Sequence, residues 1–213
     1  MIDNLEQLTA GELGDILKTI EFKYENTTQQ YNSPFFKEFS GLYNTDPILL
    51  RCSCKQPELF SKIIKSLNLF EEERHGVRQL NPEIIKSLIT NVFLNPGPSW
   101  IGHFTDEVDW KKFNFLSFEE IPSISFAHRL QKLVEIGGLF FKSKLPLNQV
   151  KNLSIDFSNS IFSGKINDFK IYYTFDEGWS AYFGKMGMGL DITFFLFDGI
   201  SGEFWILSKT DYD

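Results

Sequence analysis

From Leu153 to Lys209, short aromatic and β-branched runs alternate with glycine and acidic turns. The runs are Leu153–Phe157, Ile166–Phe175, Trp179–Phe183, Leu190–Phe197 and Glu203–Leu207. Tight breaks can join only antiparallel neighbours, so these five runs predict an antiparallel meander. Phe194 to Phe197 is apolar at successive positions, hence on both faces of its strand. Such a strand is central, covered, or in contact with a partner.

The pattern before residue 138 has the longer period of helices. Thr9-Ala-Gly-Glu12 has capping-box spacing, and Leu13, Ile16, Leu17 and Ile20 follow on one face. Glu25 to Ser33 reads as a polar loop, and Pro34 to Tyr43 as an aromatic helix. Ile48–Cys52 reads as a short strand. Pro57 fits a first helical turn, before the stripe Leu59, Phe60, Ile63, Ile64 and Leu67. Asn81-Pro82 starts another helix, which carries Ile84, Ile85, Leu88, Ile89, Val92 and Phe93 as far as Asn95-Pro-Gly-Pro98. Glu71–His75, lying between these helices, reads as a solvated helix end and turn. Trp100 to Ile121 lacks a sustained period, and loop with one or two short strands is expected there. Ser123 caps a helix that ends at Gly137-Gly138, and Gly138–Leu145 reads as a strand entering the meander. Helices first and strands last predict an α+β domain spanning 1–213, helix-rich over 1–137 and β-rich over 138–213, with helices on one face of about five antiparallel strands.

Composition narrows the class. Twenty-three phenylalanines in 213 residues, with 42% hydrophobic residues, predict an aromatic-packed interior. Ile192 to Phe197, interrupted by one threonine, is the longest apolar run, far short of the ~20 residues that span a bilayer. The acidic start Met1–Glu6 has neither the basic nor the apolar region of a secretion signal, so a cytoplasmic address is expected. The net charge is −7. Residues 1–50 carry eight acids against three bases, and residues 151–213 nine against five. No basic block exceeds Lys111-Lys112, which argues against nucleic acid and for a basic protein partner or simple solubility. Cys52 and Cys54 are too close in sequence for a good mutual disulfide and read as reduced thiols.

The candidate chemistries each meet an obstacle. Gly184-Lys-Met-Gly187-Met-Gly189 resembles a phosphate loop, but the run after it reads as strand where a helix N-terminus is required. A hairpin connection or contact loop accounts for it. Cys52, Cys54, His75 and His103 lack the compact paired spacing of structural zinc. Asp106, Glu107 and Asp109 with Lys111 are a possible magnesium set without an upstream acid, or a surface loop. His128 and the Gly178-Trp-Ser180 turn supply no nucleophile signature. No catalytic, metal or cofactor residue is therefore assigned.

Aromatics among acids at the C-terminal strands are the candidate contact surface. The set comprises Asp176, Glu177, Trp179, Tyr182, Asp198, Glu203 and Trp205, in which aromatics would anchor and acids would steer a basic partner. A small, acidic, Phe-rich chain with helices and a meander ending Phe194-Phe-Leu-Phe-Asp-Gly199 and Glu203-Phe-Trp-Ile206 resembles bacterial toxin-immunity proteins. The resemblance implies a non-catalytic inhibitor that binds a cognate toxin stoichiometrically, while the charge and the short apolar runs point away from nucleic acid and membrane. The alternative is a small-ligand domain or enzyme whose pocket lies between sheet and helices, with Tyr172, Tyr173, Asp176 and Trp179 as its wall.

Overall fold

The computed structural model describes residues 5–94, 108–175, 178–180, 182–183 and 191–211. Among these residues eight antiparallel strands form one sheet: β1 (Phe22–Tyr24), β2 (Ile48–Cys54), β3 (Glu71–Arg74), β4 (Val77–Leu80), β5 (Phe118–Ile121), β6 (Phe169–Thr174), β7 (Ile192–Asp198) and β8 (Glu203–Lys209). Their order is β1-β2-β8-β7-β6-β5-β4-β3. Strands three to eight are thus a continuous meander, and the β2–β1 pair is added against its last strand. The α+β class holds, but the sheet is larger than the five expected strands and draws five of its eight from the first 121 residues.

The helices are α1 (Ala10–Thr19), α2 (Thr28–Tyr31), α3 (Pro34–Ser40), α4 (Pro57–Lys65), α5 (Pro82–Leu94), α6 (Trp110–Phe113), α7 (Phe126–Ile136) and α8 (Leu147–Phe162). Local signals account for their ends. Thr9 and Glu12 close the capping box on α1, at 2.8 and 3.3 Å. Ser33 Oγ accepts from Phe36 N–H, and Asn81 Oδ1 accepts from Glu83 N–H. Gly137, at φ 70°, ends α7. Gly14 lets α1 approach α5: a Cβ there would lie 2.6 Å from Ser87 Oγ.

Helices cover both faces of the sheet, not one. Leu13, Leu17, Phe60, Ile64, Ile85 and Leu88 from α1, α4 and α5 pack on Leu50, Tyr172, Phe195, Phe197, Phe204 and Ile206. On the opposite face, Phe35, Phe39, Phe126, Leu130, Phe157 and Ile161 from α3, α7 and α8 pack on Leu49, Ile171, Phe194, Leu196, Trp205 and Leu207. Alternate residues of each central strand feed the two cores. Every residue of β7 is buried because the strand is central and covered on both sides.

Four expected elements are corrected. Leu153–Phe157 is helix. The alternation of Leu153, Ile155 and Phe157 imitates a strand, but Val150, Ser154, Phe157, Ser158 and Ile161 form the buried helical stripe. Two serines on that stripe break its apolar signal, and each hydroxyl is satisfied by the carbonyl four residues back, at 2.9 and 2.8 Å. Glu71–Arg74 is strand. It pairs through a two-residue turn, His75-Gly76, with both φ positive, as a tight hairpin requires. Its run of charges suits an outer strand, where charge deters further pairing. Residues 178–180 and 182–183 are not strand, and neither are 138–145, where Phe140 and Phe141 are exposed.

Candidate functional site

A cleft of about 1130 Å³ opens at the β1–β2 edge of the sheet. It exists because β1 is short. β8 pairs with β2 from Ile48 to Ser53, whereas β1 pairs only with Cys52–Cys54 and ends at Tyr24. Glu25 N–H still donates to Arg51 C=O, at 2.8 Å. The chain then turns away into α2, with Asn26 Oδ1 accepting from Thr28 N–H. One margin of the cleft is the edge of β2 at Ile48–Arg51. The other walls come from Tyr24–Thr28, Tyr31, Phe36, Lys37 and Ser40, the Asn44–Pro47 loop, and Tyr182.

The Tyr31 hydroxyl stands where a neighbouring strand would otherwise run. It accepts from Leu49 N–H at 2.9 Å and donates to Leu49 C=O at 3.2 Å. Its ring packs edge-on against Phe36, with centroids 4.6 Å apart. Tyr24 donates to Val92 C=O, and Tyr182 sits near Asp46 C=O and Ser208 C=O, at 3.1 and 3.3 Å. Three phenols therefore line the cleft, each with its oxygen directed at main chain.

Burial keeps these phenols neutral. It pushes Tyr31 up to about 12 and raises Tyr24 and Tyr182 as well. Glu25 is held below the ordinary carboxylate range by the Ser53 hydroxyl and by Lys23, whose ammonium lies 2.9 Å away. Arg51 makes a two-pronged bond to Glu203, at 3.0 and 2.9 Å, and lies over the Trp205 ring. Asp46 and Lys37 are exposed on the cleft wall. The lining is thus a set of fixed neutral hydrogen-bonding groups with charges of both signs.

No protein-family profile, curated protein or solved structure matches this chain.

The contact surface expected at the C-terminal strands is not assembled as an exposed patch. Trp179 is fully buried against Phe113 and Phe183, Trp205 is 2% exposed, and Tyr182 is 4% exposed. Each was expected outside because acids neighbour it in sequence; each lies inside because it completes one of the two cores. Asp198 is buried and caps the β7–β8 turn, accepting from Ile200 N–H, Ser201 N–H and Ser201 Oγ. Glu203 is engaged by Arg51. Asp176 and Glu177 lie outside the described residues. Of the five described residues of that set, only Tyr182 lines the cleft.

The expected ligand wall is corrected in the same way. Tyr172 and Tyr173 are buried under the helices, and their hydroxyls donate to Glu71 and Glu119, both at 2.5 Å. Asp109 caps α6 through Lys111 N–H and Lys112 N–H, while 106 and 107 lie outside the described residues, as do His103 and the 184–189 glycine loop. Among the described residues no group of three potential ligands is placed to hold a metal. Cys52 and Cys54 are buried free thiols, each pushed up by burial. No helix among those residues is long and apolar enough to cross a membrane.

Sequence reasoning missed Tyr24, Tyr31, Lys37, Asp46 and the Leu49 main chain. The available signal was Tyr31 itself, a large aromatic in the otherwise polar stretch 25–33.

Proposed function

We propose that this chain is a non-catalytic binding protein that holds a partner protein in a stoichiometric complex, as an immunity protein holds a basic toxin, and that the β2-edge cleft is its contact site. The observation that supports this reading is the cleft: a large concavity at an open sheet edge, walled by pre-oriented neutral hydrogen-bonding groups. The net charge of −7 would steer a basic partner and mainly raise the association rate.

Co-expression with the products of adjacent genes tests the reading. A partner should co-purify one to one, associate more slowly as salt is added, and lose binding when Thr28, exposed on the cleft wall, becomes tryptophan. A partner that binds Thr28→Trp at full strength would remove the cleft from the interface. A chain that stays alone with every adjacent product would refute inhibition.

The volume of the cleft also favours a second reading, a small-molecule site, because ligand pockets run to about 1,000 Å³. A metabolite that raises the melting temperature of the wild type but not of Thr28→Trp would support it, since binding only the native state stabilises that state.

A further inference from the structure

We infer that the cleft receives an extended polypeptide segment, which adds to β2 as a strand and displaces the Tyr31 hydroxyl from Leu49. The inference rests on the binding-protein reading and specifies how the partner is held.

Leu49 carries the argument. In an antiparallel pair, alternate residues exchange two main-chain bonds with the neighbour opposite. The Leu49 N–H and C=O both point away from β8, because both bond to Tyr31. Two residues on, the Arg51 C=O points the same way and meets the main chain at Glu25. Leu49 therefore presents one donor and one acceptor in strand register, and a single phenol oxygen occupies both. A hydroxyl can do this because it donates once and accepts as well. One residue of an incoming strand would supply the same two groups.

The two ends of the sheet differ in a way that favours this site. The outer strand β3 presents Glu72, Glu73 and Arg74, charges that deter pairing. The open stretch of β2 is Ile48-Leu49-Leu50, with no charge. The phenol and the start of the strand at Pro47, which has no N–H, limit it. Side chains of an added strand would alternate between two aromatic surroundings. Tyr24 and Tyr182 belong to the core on one face, and Tyr31 and Phe36 to the core on the other. The occupant is thus a short extended segment with apolar side chains, without proline at the residue opposite Leu49, read chiefly through its main chain.

The test uses a displayed library of random ten-residue peptides selected against the full chain. Enriched peptides are then synthesised and measured against the wild type and Tyr31→Phe. Removing the hydroxyl removes an internal competitor, so the variant should bind about three- to tenfold tighter. N-methylation of one central peptide amide should abolish binding while the same change at the next residue is tolerated. In the wild type, the Leu49 amide should stay protected from hydrogen exchange when the peptide is bound. In Tyr31→Phe it should be protected only when the peptide is bound. Failure to enrich any peptide, weaker binding by Tyr31→Phe, or indifference to N-methylation would each overturn strand addition. A co-purifying protein partner whose affinity is unmoved by Tyr31→Phe and by saturating peptide would overturn it too, while leaving the binding-protein reading standing. If Tyr31→Phe does not fold, the N-methyl series on the wild type decides alone.

Discussion

Lys209 should make the stability of this protein rise with pH over a window in which an ordinary lysine would have no effect. The side chain ends β8 and is only 3% exposed. Its ammonium lies 4.6 Å from the centre of the Tyr43 ring, with the charges of Asp191 and Asp211 nearby. Burial pulls Lys209 down to about 8 from 10.5, and the two carboxylates offset only part of that effect. Between those values the unfolded chain holds a proton that the folded chain has released. Stability therefore rises with pH through this window, and the gain is lost as pH falls back through about 8. A gap of that size corresponds to about 3 kcal/mol.

The perturbation is Lys209→Met, which keeps an unbranched apolar stem against Tyr43 and removes the titrating group. Urea unfolding at pH 7, 8, 9 and 10 gives a stability for each protein at each pH. Subtracting the variant from the wild type cancels the surface lysines and the tyrosines common to both. The difference should move in favour of the wild type by about 2–3 kcal/mol from pH 7 to pH 10. Its absolute value at pH 7 mixes loss of the cation with relief of its burial, so the slope is the measurement that counts. Parallel profiles, or a difference that moves against the wild type as pH rises, would refute the account of Lys209 as a buried, costly cation.

Four further perturbations test how the frame is held. Gly202→Ala should cost about 2–5 kcal/mol, since the residue has φ +68° and a Cβ would lie 2.7 Å from Pro57 Cα. Gly76→Ala, at φ +77° with open space around it, should cost only about 1 kcal/mol, and thermal melts of the two glycine variants check both values. Asp198→Ala should cost about 1–2 kcal/mol by urea unfolding, because three donors at the β7–β8 turn lose their acceptor, and should leave partner affinity unchanged. A double-mutant cycle on Arg51→Ala and Glu203→Gln should give a coupling of about 1 kcal/mol, modest because both side chains keep some exposure.

Much of the frame was legible because local rules and tertiary packing agree there. The helix starts at Thr9, Pro34, Pro57 and Asn81 follow from capping and first-turn chemistry that acts within four residues. The β7–β8 pairing follows from the tight turn that joins two apolar runs between Asp198 and Glu203. Legibility failed where burial was not apolar or where apolar runs were not strands. Ser154 and Ser158 sit on the buried stripe of α8 and conceal its period, while Glu71 is a charged residue that enters a strand and bonds to Tyr172. Trp179 and Phe183 look like a strand and are instead packed loop aromatics.

The site was harder to read than the fold because it is created by the place where a pairing stops. Nothing in Phe22-Lys-Tyr24 says that β1 will cover only half of β2; that follows from the register Phe22 to Cys54 and from the turn at Asn26. The acidic–aromatic neighbourhood at Glu203 and Trp205 shows the converse. Two residues apart on a strand, they do share a face, as their spacing requires. What occupies that face is Arg51, 152 residues before Glu203, which bonds the carboxylate and lies over the indole. The chain satisfies that pair internally through Arg51 of β2, and β2, two residues before Arg51, leaves Leu49 satisfied by a single phenol. An added strand has no charge with which to replace Arg51 at Glu203, whereas the one hydroxyl, which contributes about 1 kcal/mol net, is exchanged for a main chain that offers the same two bonds. The edge at Leu49 is therefore the place where this sheet can accept another strand at least cost.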